Sequence, residues 1–145
     1  MGMDKDKSVG TAIGRSLRVF RNTLQKYFEE AGFKLSVEQW LILMLLKMQD
    51  GRTQHELCHA ATKEKTTITR LIDALEKKGM ILRVKGKNDR RNNLIYITDK
   101  GRKTEEILTP IAFAINEQAI KDFKKIEIVQ FLDMLNRIEN NLSIC

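Results

Sequence analysis

A chain of 145 residues has room for one ordinary domain with a real core, and 42% apolar against 31% charged residues excludes a disordered chain. One proline and eight glycines are few for a turn-rich all-β protein, so a mostly helical fold is expected. The net charge is +7, and the longest strongly apolar run, Trp40 to Leu46, is far too short to cross a bilayer.

In chain order, residues 1–10 read as a charged tail without the apolar stretch of a secretion signal. Ile13, Leu17, Phe20, Leu24, Tyr27/Phe28 and Ala31 then recur at helical spacing with Arg15, Arg18, Arg21 and Lys26 between them, an amphipathic helix that Gly32 ends. Ser36 and Gln39 have capping-box spacing and open a second helix, Val37 to Gln49, apolar on nearly every side and stopped by Asp50-Gly51. Thr53 and Glu56 repeat that spacing before a short helix to Ala60 or Ala61. After a turn at Thr62 to Glu64 comes a fourth helix to Lys78, with Ile68, Leu71, Ile72 and Leu75 as its buried stripe and Gly79 as its left-handed cap.

The period then changes. Ile81 to Val84 and Leu94 to Ile97 read as two strands joined by a long basic loop, Lys85 to Asn93. Thr98 and Asp99 cap a helix to about residue 120, in which Pro110 should kink the helix or end its first part. The last helix carries Ile128, Phe131, Leu132, Leu135, Ile138 and Leu142 as a stripe. The expected fold class is mainly α with a small β-hairpin wing: a winged helix-turn-helix plus a helical dimerisation region.

The charge is concentrated. Residues 63–103 hold 13 basic and 5 acidic side chains, a balance of +8, whereas residues 1–62 stand at +2 and residues 104–145 at −3. Such a focus suits a polyanion, although a merely solvated basic face would give the same count. The order of elements decides between them. A short helix, a tight turn, a longer helix and a basic hairpin can place the second helix of the pair in the DNA major groove. Its leading residues are Lys63, Lys65, Thr66, Thr67, Thr69 and Arg70, with Lys65, Thr66, Thr69 and Arg70 off the apolar stripe. Small hydroxyls fit close to phosphates and bases, and lysine or arginine reaches guanine or phosphate. The plainer reading is that Thr66 and Thr67 only cap the helix.

The wing motif Asp89-Arg90-Arg91, then Ile97-Thr98, then Gly101 resembles the multiple-antibiotic-resistance regulator (MarR) family, with Ile97 where the family pattern has leucine. The segments Thr69 to Asp73 and Leu75 to Met80 also resemble that family's recognition helix and its exit, and the resemblance runs from about Gly14 to about Leu142. It implies that the first and the last two helices form a dimerisation region, that Arg91 held by Asp89 reaches the minor groove, and that a small-molecule pocket lies where those helices meet the DNA-binding lobe. An aspartate two residues from an arginine can orient its guanidinium, and arginine suits a narrow minor groove. A salt bridge that only stiffens the loop is the alternative for Asp89 and Arg91.

These readings give a tail (1–10) and one regulator domain (11–145). Within it, residues 35–101 are the DNA-binding lobe, and 11–34 with 102–145 the dimerisation region. The expected function is a sequence-specific DNA-binding transcription regulator, a ligand-responsive repressor acting as a homodimer on a pseudo-palindromic operator. It is expected to be cytoplasmic, with Cys58 and Cys145 reduced, no enzyme activity and no cofactor. DNA binding falls to Lys63, Lys65, Thr66, Thr67, Thr69, Arg70, Lys85, Lys87, Asp89, Arg90 and Arg91, and the suggested ligand lining is Phe20, Tyr27, Phe28, Trp40 and Met44. A winged-helix module for protein–protein contact is the rival from another class, but it has no need for the basic wing. His55-Glu56-Leu57-Cys58-His59 fits the H-E-x-x-H pattern of zinc proteases, yet the chain has no third histidine and no second motif to complete a zinc site. No metal site is therefore expected.

Overall fold

The computed structural model describes residues 8–86 and 93–143. Its elements are α1 (Val9–Glu30), α2 (Val37–Met48), β1 (Arg52–Thr53), α3 (Gln54–Ala61), α4 (Lys65–Lys77), β2 (Ile81–Lys85), β3 (Asn93–Ile97), α5 (Asp99–Ala119) and α6 (Lys125–Leu142). They divide into two compact units, one running to Ala112 and the other starting at Phe113.

Local chemistry sets most of the boundaries. The Ser8 side chain accepts from the Thr11 amide, so α1 begins at Val9 and takes in two residues assigned to the tail from sequence. Both capping boxes form. Ser36 Oγ accepts from Gln39 N at 3.0 Å while Gln39 Oε1 accepts from Ser36 N at 3.0 Å. Glu56 N donates to Thr53 Oγ1 at 3.1 Å and Thr53 N to Glu56 Oε2 at 3.2 Å. Each box satisfies two amides that a helix start leaves open, a contribution of about 1 kcal/mol.

At the far end of α4, Gly79 takes φ +73°, where a side chain would be strained. Its amide reaches Glu76 O at 2.9 Å, the Met80 amide reaches Leu75 O at 3.0 Å, and Met80 folds back into the core. This is the cap anticipated from sequence. The helix-turn-helix corner at Thr62 is also left-handed, at φ 52°, in a residue type that gives no warning of it.

The strands form a three-stranded antiparallel sheet of order β1-β3-β2, with Ile81 opposite Ile97, Lys85 opposite Asn93, and Arg52 opposite Ile95. Strand β1 has no counterpart in the sequence reading, because two residues carry no periodicity.

The core of the first unit is a continuous cluster. It joins Phe28, Leu35, Ile42, Leu43, Leu46 and Leu57 to the α4 stripe and to Ile81, Ile95 and Leu108. All four predicted stripe residues of α4, Ile68, Leu71, Ile72 and Leu75, are buried. Helix α5 runs through Pro110 to Ala119, so the proline does not end it. In the second unit no side chain of α6 is buried, and Val129, Phe131, Leu132 and Met134 stand exposed. No described helix is long and apolar enough to cross a membrane.

Candidate nucleic-acid interface

One face of α4 is fixed in the core, and that decides where the other points. Lys65, Thr66 and Arg70 are exposed, and Lys63, Thr67 and Thr69 are half-buried. The helix is capped from Glu64 without a side-chain hydrogen bond, which places Thr66 and Thr67 inside the first turn. The plainer reading, in which these threonines cap the helix, is thereby removed.

The two helices of the motif are tied by a strut that the sequence did not announce. Thr69 Oγ1 donates to Lys65 O at 2.9 Å and accepts from Gln54 Nε2 on α3. Its hydroxyl proton is thus already engaged, and Lys65, Thr66, Thr67 and Arg70 carry the more available polar groups. Beside them a groove of about 500 Å³ is lined by Arg21, Glu38, Lys63, Thr67 and Arg70, among others.

Arg21 donates both Nε and Nη2 to the Glu38 carboxylate, the latter at 2.9 Å. These hydrogen bonds hold the Glu38 carboxyl below its ordinary range against the opposing effect of burial, and the charges of Arg21 and Lys63 add to the shift. A carboxylate with a depressed folded-state pKa contributes stability above the ordinary carboxylate range and loses it as pH falls through the depressed value. Glu38→Gln is expected to cost under about 1 kcal/mol at neutral pH, because Arg21 is half exposed. Urea melts of both proteins between about pH 7 and about pH 3 should converge in acid. A gap that stays constant with pH would show that the charge is not its source.

The wing is fixed to α4 by a second pairing that sequence reasoning missed. Arg83 on β2 bonds Asp73 through Nη2 and Glu76 through Nη1, the latter at 3.1 Å, which ties the root of the hairpin to α4. The signal was available in Asp73 and Glu76, three residues apart on one helix face. Asp50 makes the other joint. Its Oδ1 accepts from Gly51 N at 3.1 Å and Ile97 N at 2.9 Å, and its Oδ2 pairs with Arg102 at 3.0 Å. Lys85 is exposed where β2 enters the wing. Lys87, Asp89, Arg90 and Arg91 lie outside the described residues.

The residues of the suggested ligand lining differ in burial. Phe28 is fully buried and meets Trp40 edge-to-face with ring centroids 5.7 Å apart, a core pair. Trp40 Nε1 donates to Thr109 Oγ1 at 3.0 Å and Thr109 Oγ1 to Glu105 Oε1 at 2.7 Å, with Lys47 Nζ 2.9 Å from Glu105 Oε2. Phe20 and Met44 are half-buried, and Tyr27 is exposed.

His55 and His59 are both exposed beside a hollow of about 410 Å³ that Arg52 and Glu56 also line. Glu56, the base a protease would need, is engaged in its own capping box. Among the described residues no three of His, Cys, Asp and Glu come together as a metal site. Cys58 is half-buried against the core.

A recognition helix seated on a core, braced by α3 and joined through Arg83 to a hairpin, defines a winged helix-turn-helix protein of the DNA-binding class. Residues 35–92 match the model of the MarR family. It is 29% identical over 112 residues to the uncharacterized HTH-type transcriptional regulator YwoH of Bacillus subtilis (strain 168), covering 77% of this chain and 80% of that one. The solved structure of the transcriptional regulator SlyA superposes with a TM-score of 0.85 at 26% identity, over 94% of each chain. CouR from Rhodococcus jostii RHA1, solved bound to p-coumaroyl-CoA, is similar in fold at 21% identity, with a TM-score of 0.81 over 99% of this chain and 100% of that one. A structure of the repressor CouR bound to a 23-mer DNA duplex gives 24% identity and a TM-score of 0.81, over 95% and 97% of the two chains.

Proposed function

We propose that the protein is a homodimeric, ligand-responsive repressor that acts in the cytoplasm by binding a pseudo-palindromic operator and performs no chemistry of its own. The observation that carries this reading is the exposed Lys65, Thr66 and Arg70 face of α4, presented by a helix whose opposite face is locked into the core. That face would enter the major groove, with Lys63 and Thr67 at its flank. Lys85, Lys87, Arg90 and Arg91 would follow the backbone on either side, with Arg91, steadied by Asp89, in the minor groove.

Residues 35–101 would form the DNA-binding lobe, and residues 11–34 with 102–145 the dimerisation region. The apolar residues left exposed along α1 and α6, among them Val9, Leu17, Phe131 and Leu132, support pairing with a second copy. A two-fold dimer sets its recognition helices about one DNA turn apart. Ligand response is supported by CouR, which has been solved both with a small molecule and with DNA. A ligand would act by shifting the population of DNA-competent dimers.

Selection of bound duplexes from a random pool, followed by salt titration of the winner, tests this. The expected winner is a pseudo-palindrome whose log affinity falls linearly with log salt, by about 0.9 for each phosphate contacted. Only weak, sequence-indifferent binding would refute a specific operator and favour an interaction module.

A further inference from the structure

The outer side of α3 carries the only two histidines of the chain. His55 and His59 are the second and sixth residues of that eight-residue helix. Side chains four apart on a helix stand one above the other with Cβ atoms about 5–6 Å apart, a span that one metal ion can bridge from two imidazoles. Both histidines are exposed, and both line the hollow of about 410 Å³ that Gln49, Arg52, Glu56 and Ala60 complete. Among the described residues neither imidazole enters an ion pair.

The neighbouring groups have other duties. Cys58 packs half-buried against the core and turns away from the exposed histidines. Arg52 Nε donates to Gln49 O at 3.1 Å. Glu56 commits Oε2 to the Thr53 amide, and its negative charge offsets that of Arg52 in the hollow. Its second oxygen is left to accept from a water on the metal. Two protein ligands do not close a structural zinc site or build the site of a zinc protease, which need four and three. They do make an open chelate in which water fills the other positions.

We propose that His55 and His59 chelate one divalent transition-metal ion, zinc, nickel or copper, on the outer face of α3. Neutral imidazole suits these ions, whereas magnesium and calcium take oxygen ligands. The helix that spaces the pair is fixed at both ends. The Thr53–Glu56 capping box sets the first turn around His55, and the left-handed Thr62 closes the helix after His59. A bound ion ties the first turn to the second. It also adds positive charge to the helix that braces α4 through Gln54 and Thr69.

The test uses the full chain carrying Cys145→Ser, which removes a terminal thiol that would compete for metal. Zinc and nickel are titrated, with magnesium as control, at about pH 7.5, where free imidazole is mostly neutral. Calorimetry should show one zinc or nickel ion per chain and no magnesium. In NMR with zinc, both histidine ring signals should shift together and saturate at that ratio. His55→Ala and His59→Ala should each bind about tenfold more weakly or worse, since one imidazole is no longer a chelate. His59→Ala combined with Ala60→His keeps two histidines but takes the second off the face of the first, and should not restore binding. All three side chains are exposed, so the variants should stay folded, which circular dichroism checks. Undiminished binding to folded His55→Ala, a shift of one ring alone, or an equal response to magnesium would overturn the site.

Discussion

Gly101→Ala is expected to destabilise the protein by about 2–3 kcal/mol, lowering the thermal midpoint by several degrees. A Cβ at this position would stand 2.2 Å from Met80 O and 2.8 Å from Ile97 Cγ1. Met80 O cannot rotate away, because it is backbone and already accepts from Thr98 N at 3.0 Å. Thr98 Oγ1 also holds Gly79 O at 2.7 Å and accepts from Gly101 N at 3.1 Å. Relief needs the start of α5 to move about 1 Å from the end of α4, against three hydrogen bonds and a packed core. Alanine is the better helix former by about 1 kcal/mol, so the clash must exceed that gain before any loss is seen. Gly14 on α1 isolates the propensity effect, since nothing lies within 4 Å of its added Cβ. Gly14→Ala should therefore stabilise by up to about 1 kcal/mol. The same substitution then has opposite signs in two helices, read by paired denaturant melts. A stable Gly101→Ala protein would mean that the α4–α5 junction is not a rigid joint.

That joint also explains why the end of the motif, Thr98 and Gly101, was legible. Thr98 and Gly101 sit where the sequence pattern put them, and each has a geometric duty there: a hydroxyl spanning two elements and a position with no room for a side chain. Helix starts were legible for a similar reason, because a capping box is complete within four residues. The period-3.6 stripe of α4 needed only its own thirteen residues. What stayed hidden depends on pairs distant in sequence. Strand β1 exists because Arg52 and Thr53 meet Ile95 and Leu94, more than forty positions away. Asp50 bonds Ile97 and Arg102 across similar distances, and nothing local distinguishes it from a surface aspartate.

The candidate site was read from charge and position, and structure refines that reading by neutralisation. A balance of +8 counts Arg83 and Arg102 as available cations, yet the first is matched by Asp73 and Glu76 and the second by Asp50. Thr69, which has the place of a reading residue on the helix, also braces α3 through Gln54. Among the described residues of α4 that leaves Lys65 and Arg70 in its first half, and Lys77 at its end, as exposed cations without an ion pair. Their positions on the helix differ, and so should their work.

Lys65 is the first residue of α4, where the open amides and the positive end of the helix favour phosphate. A lysine there is a point charge on a flexible stem and carries little sequence information. Arg70 lies more than a turn further along, and its planar fork can hold two acceptors of guanine at once. Arg70→Ala is expected to cost about 1–3 kcal/mol of operator affinity, about 5- to 150-fold, and to relax base preference at one position of each half-site. Lys65→Ala should weaken all sequences alike and make the log–log salt slope shallower by about one contact. Fluorescence anisotropy on the selected operator, on single-base variants and on unrelated DNA, at several salt concentrations, separates the two signatures. Circular dichroism melts should show both variants folded, since each side chain is exposed and outside the core. If both variants lower affinity uniformly and flatten the salt slope equally, Arg70 too is on the backbone. The first turns of α4 would then lie across the groove rather than in it, and specificity would have to come from the wing or from DNA shape.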